Sequence, residues 1–117
     1  MSRQQTRIKR ILAYFDLTLK NLSAAKVGIF EDVHRVHWAP DAKSVYATDN
    51  ITQDDVQLDL DEILDACLEY YRTVYHQTER ELRNDLIESY ARTEEDEQYR
   101  DEEEYTLTEV CKAFILQ

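Results

Sequence analysis

Carboxylates and tyrosines are the side chains with chemical potential in this chain, and they crowd into its second half. Asp61, Glu62, Asp65 and Glu69 lead into Tyr70 and Tyr75, and Glu94, Glu95, Asp96, Glu97, Asp101, Glu102, Glu103 and Glu104 surround Tyr99. Such a set could pair as acid and base, gather a cation, or meet a basic surface. Acid/base catalysis needs two carboxyls held in contrasting surroundings, so abundance alone does not supply it. A calcium loop of the EF-hand kind needs a central glycine among its aspartates, and Asp54, Asp55, Asp59, Asp61 and Glu62 lack one. A di-iron carboxylate site needs Glu-x-x-His on each of two helices, and the chain does not have the pair.

Other reactive groups are sparse. His34 and His37 stand three apart, a spacing that would share a helix face near Glu31, but a zinc site takes three or four such ligands. The remaining candidates, His76, Glu79, Cys67 and Cys111, lie far away in sequence, so no metal site is expected. Both cysteines fall on apolar stripes, where a thiol behaves as a small hydrophobe; a disulfide would require the last helix to dock beside the central one. Phosphate-cradling loops and nucleophile elbows need glycines where the backbone turns tightly, and the chain has only Gly28. Neither a catalytic residue nor a cofactor is expected.

Charge is the stronger signal. The net charge is −11, with residues 1–50 holding eight Lys/Arg against five Asp/Glu and residues 51–117 six against twenty. Phosphate would be repelled by the acidic half, which argues against nucleic acid as its direct partner and for a basic protein surface or a cation. The basic residues Arg3, Arg7, Lys9 and Arg10 open the chain. They sit at the wrong end of a helix dipole, each at a cost of a few tenths of a kcal/mol, which suggests another use.

These groups must be positioned by helices. With 117 residues, one Gly and one Pro, the composition disfavours a turn-rich sandwich or barrel. Ile8, Leu12, Phe15, Leu19 and Leu22 step four and three, predicting a first helix over 4–22. Ile29, Val33 and Val36 keep helical phase and predict a second over about 24–37, ended before Pro40. The alternative is a β-hairpin turning at Pro40-Asp41, with 44–47 as its returning strand. Val56, Leu58 and Leu60 alternate with polar residues and suggest a short extended piece. Leu60, Leu64, Cys67, Tyr71, Val74, Thr78, Leu82 and Leu86 continue at steps of three and four, predicting one long helix over 59–92. Asp59, Asp61, Glu62 and Asp65 mark its positive end. An acidic segment over 93–105 follows, solvated or mobile. Thr106-Leu107-Thr108-Glu109 then matches a capping box, opening a short closing helix with Leu107, Val110, Cys111, Phe114 and Ile115 on one face.

The expectation is a mainly α, single-domain bundle of three or four helices around the long 59–92 helix, with a short β-ribbon within 33–60 as the alternative. No apolar run approaches the ~18 residues of a membrane span, and the basic N-terminus lacks a signal peptide's apolar region, so the cytoplasm is the default compartment. The expected function is non-enzymatic: a small acidic inhibitor or regulator that docks on a basic surface of a nucleic-acid-binding protein. Its carboxylates would imitate phosphate while tyrosines anchor the contact. A calcium-binding protein and a structural adaptor, whose basic first helix meets the acidic half of a second copy, are the alternatives.

Overall fold

The computed structural model describes residues 3–40, 44–94 and 105–116. Among these, five α-helices, one 3-10 helix and a three-stranded antiparallel sheet follow one another along the chain. It is mainly helical with a small sheet, and its contacts divide it into two compact units, residues 1–70 and 71–117.

The first unit opens with α1, Arg3–Phe15, which buries Ile8, Ile11, Leu12 and Phe15. The expected helix over 4–22 does not run through. Asp16 turns left-handed at φ 54°, and Thr18 then caps a second helix, α2, Leu19–Ala25. Thr18 Oγ1 accepts from the Asn21 N–H at 3.1 Å while Asn21 Oδ1 accepts from the Thr18 N–H at 2.9 Å. This reciprocal cap, with Asn at the usual Glu position, restarts the helix.

The expected helix over 24–37 is also overturned. Lys26 ends α2 in the left-handed region at φ 53°, a 3-10 helix covers Gly28–Glu31, and β1 takes Val33–Trp38. The β-branched Val33 and Val36 pack better on a pleated surface with an antiparallel partner than in a helix. β1 pairs with β2, Val45–Asp49, as the hairpin alternative required, although Asp41 of its turn lies outside the described residues. Neither face of β1 alternates cleanly in sequence because the ladder slips between His34 and His37, where Arg35 (φ 55°) and Val36 stand against Ala47. This is a β-bulge, which hides the period of two.

β2 pairs in turn with β3, Asp55–Leu58. The connecting turn is built on Asp49, whose Oδ1 accepts from the N–H groups of Ile51 at 2.8 Å and Thr52 at 2.9 Å. Those donations, Thr52 foremost, hold its carboxyl below the usual range. Asp59 and Glu62 exchange backbone-to-carboxylate bonds of 3.1 and 2.8 Å at the start of α3, Leu60–Val74. Val45, Ala47, Leu58, Ile63, Leu64 and Cys67 are fully or almost fully buried and, with Phe30, Ile8 and Leu22, make this unit's core.

The single helix over 59–92 is broken. Gln77 and Tyr75 both donate to the Tyr71 carbonyl, at 3.2 and 3.1 Å, and His76 turns left-handed at φ 56°. Thr78 and Glu81 then form a full capping box that starts α4, Glu79–Tyr90. Thr78 is therefore an exposed cap, and Val74 is 46% exposed, so neither belongs to a buried stripe. In the second unit α4 packs with α5, Leu107–Phe114, through buried Leu82, Leu86, Ile87, Leu107, Val110 and Cys111. The rings of Tyr90 and Phe114 lie 6.3 Å apart at this seam. Thr106 caps α5 as expected, its Oγ1 accepting from the Glu109 N–H at 3.1 Å. Residues 95–104 of the acidic segment lie outside the described residues.

Candidate protein-binding surface

The sequence-predicted carboxylates divide between surface and fold. Asp61 and Asp65 are exposed one turn apart on α3 and share a face. Glu62 is half-buried and bonded to the Asp59 N–H, and half-buried Glu69 accepts from the Gly28 N–H at 2.7 Å. These two are committed to closing turns. Tyr70 is half-buried, whereas Tyr75 is 55% exposed with its ring 5.0 Å from that of Tyr71. Glu94 is exposed. Glu95, Asp96, Glu97, Tyr99, Asp101, Glu102, Glu103 and Glu104 lie outside the described residues.

An acidic row that sequence reasoning missed lies on α4. Glu81, Asp85 and Glu88 are exposed at steps of four and three, on the side away from buried Leu82, Leu86 and Ile87; like Glu62, Glu81 also closes a turn, its Oε1 accepting from the Thr78 N–H at 3.3 Å and the Thr78 hydroxyl at 3.0 Å. The spacing is present in the sequence, but the clusters on either side are denser and mask it. Helical geometry sets these carboxylates roughly one per 5.4 Å turn on a capped, internally packed element. Their order costs the surface little further entropy on docking.

The same unit holds a cationic counterpart. Arg83 is buried and donates from Nη1 to the Tyr105 carbonyl at 3.3 Å, while Glu79 accepts from the Leu107 N–H at 3.0 Å. With Arg80 and Thr106 they line a cleft of about 430 Å³. In the first unit Lys9, one of the opening cations, places its Nζ 5.6 Å from the Trp38 ring centroid, so a partner for it exists within the fold.

Both cysteines are buried thiols, and burial pushes Cys111 up to about 12. His34 and His37 lie on β1 and not on a helix. His34 Nδ1 is 2.6 Å from Asn50 Oδ1, and His37 Nδ1 is 2.7 Å from the Arg35 carbonyl oxygen. Among the described residues no three or more of His, Cys, Asp and Glu are grouped to hold a metal ion, and no helix is long and apolar enough to cross a membrane. The chain matches no protein-family model, no curated protein and no solved structure.

Proposed function

We propose that this chain is a small acidic binding protein that docks on the basic surface of a partner, of the kind nucleic-acid-binding proteins present, and acts there as an inhibitor or regulator. The observation that carries the reading is the pair Asp85 and Glu88, with the capping Glu81 one turn before them, exposed on a helix whose opposite face is buried. One carboxylate per ~5.4 Å turn is of the same order as one phosphate per ~3.4 Å of a nucleic-acid strand, so a cationic groove built for phosphate meets charge of the right sign and grain. The first unit has an exposed acidic pair of its own, Asp61 and Asp65, and in the second the charge of the segment from Glu94 to Glu104 steers a basic partner from a distance. Tyr75, with most of its surface exposed beside Tyr71, supplies a ring of the type that anchors protein contacts.

The test is capture from a lysate of the source cells at about 50 and 300 mM salt, a range over which charge screening tightens strongly. Parent protein is compared with the triple variant Glu81→Gln, Asp85→Asn, Glu88→Gln. The expected partners are proteins with basic nucleic-acid-binding surfaces, released by salt, lost with the triple variant and displaced by duplex DNA. Capture indifferent to salt, to the variant and to DNA would remove the reading.

A further inference from the structure

β1 carries two imidazoles that the proposed binding surface does not use. Three positions apart on a regular strand, His34 and His37 would face opposite sides of the sheet. The bulge at Arg35 and Val36 cancels that offset: His34 pairs with Thr48 and His37 with Tyr46, and those two residues, two apart on β2, share a face. The histidines therefore stand as a His-x-His pair does on an unbroken strand, roughly 7 Å apart along the backbone. Their face is opposite the one on which Val45 and Ala47 are fully buried.

Both rings are fixed through the same nitrogen. The Arg35 carbonyl can only accept, so the 2.7 Å contact places a proton on His37 Nδ1. Asn50 is oriented by its Nδ2 donating to the Glu31 carbonyl at 3.3 Å, which turns Oδ1 toward His34 and makes His34 Nδ1 a donor as well, at 2.6 Å. In each neutral ring the lone pair then rests on Nε2. A histidine that donates one N–H to an oxygen while offering the other nitrogen is arranged as metal-ligating histidines are, because the first bond fixes ring and tautomer and raises the basicity of the second nitrogen. His37 is exposed and lines a cleft of about 450 Å³ with Ser44, Tyr46 and Asp55, while His34 is half-buried and stands outside that lining, so an ion shared by both would sit at the edge of the cleft.

We infer that His34 and His37 form an open two-imidazole site for a borderline divalent transition ion, copper(II), nickel(II) or zinc, with water in the remaining positions. Imidazole nitrogen selects these ions over calcium and magnesium, which take oxygen ligands. No third ligand completes a closed set among the described residues, so the ion is exchangeable and plays no part in holding the fold. Within the class copper(II) binds tightest.

The test uses the full chain in excess Mg²⁺, which occupies carboxylates, titrated with Zn²⁺ while ring ¹H–¹⁵N correlation spectra follow the three histidines. Before metal, His34 and His37 show the Nδ1–H tautomer. On titration their Nε2 resonances move together and saturate at one equivalent, while exposed His76 on the α3–α4 loop serves as reference and does not join them. His34→Gln and His37→Gln each weaken binding about tenfold or more. An Nε2–H tautomer in the metal-free parent, separate saturation of the two rings, or parent-like affinity in both variants would overturn the site; the tautomer reading needs no variant to fold.

Discussion

The backbone N–H of Gly28 donates to the Glu69 carboxylate at 2.7 Å, joining residues 41 positions apart. Gly28 sits at φ +53°, and a Cβ there would lie 3.3 Å from Ala66 Cα, so the loop after α2 is seated directly on α3. A carboxylate acceptor makes this bond stronger than a neutral one, and its loss leaves the Gly28 N–H without that acceptor in a half-buried place. Glu69→Ala should cost about 1.5–3 kcal/mol. Gly28→Ala should cost about 1 kcal/mol or more, from the left-handed backbone and the tight approach to Ala66. Urea midpoints at constant slope measure both.

Thr78→Ala removes the hydroxyl that starts α4 and should cost about 1 kcal/mol, whereas Thr78→Ser should be nearly neutral. Amide exchange at Glu81, whose N–H donates to Thr78 Oγ1 at 3.1 Å, should quicken in the alanine variant alone. Unchanged exchange would mean the helix passes through this point without a cap.

Leu64 and Val74 occupy the same apolar spacing but different surroundings, the first fully buried and the second 46% exposed. Leu64→Ala should cost about 2–5 kcal/mol. Val74→Ala should stay within about 0.5–1 kcal/mol, part of it offset by alanine's better helix propensity. Thermal or urea unfolding of the two side by side separates a core position from a surface one.

Burial raises the Cys111 thiol from 9.0 to about 12. Below pH 9 the thiol is protonated in folded and unfolded chains alike and the burial term is fully present. Between about 9 and 12 the unfolded chain ionises first, so stability falls as pH rises through that window. A disulfide reagent at pH 8 should therefore label Cys111 only as fast as the second unit opens, and labelling should accelerate in step with urea.

The parts of the fold that were legible are those whose cause is local. Thr106 to Glu109 spells the start of α5, and Val56 and Leu58 alternate as β3 requires. Thr78 to Glu81 spells a start in the same letters, yet the apolar spacing carries from Leu64 through Val74 to Leu82 with scarcely a change of phase, so the break was concealed. β1 was obscured differently, because its bulge spends one residue and leaves no period to read. At the proposed binding surface, helix phase alone suffices for exposed Asp61 and Asp65. It cannot foresee Glu69, whose partner Gly28 is brought to it by tertiary folding.

Among the described residues the backbone turns left-handed at Asp16, Lys26, Gly28, Arg35, Gln53 and His76, and one of these six is glycine. Scarcity of glycine therefore says little about how often this chain must bend. In evolutionary terms the five other sites are open to glycine, which the backbone there would accept with relief of strain. A distant descendant could carry glycine at all six while folding along the same path, and of these six only position 28, pressed against Ala66, would be held to glycine by a close neighbour as well as by its backbone.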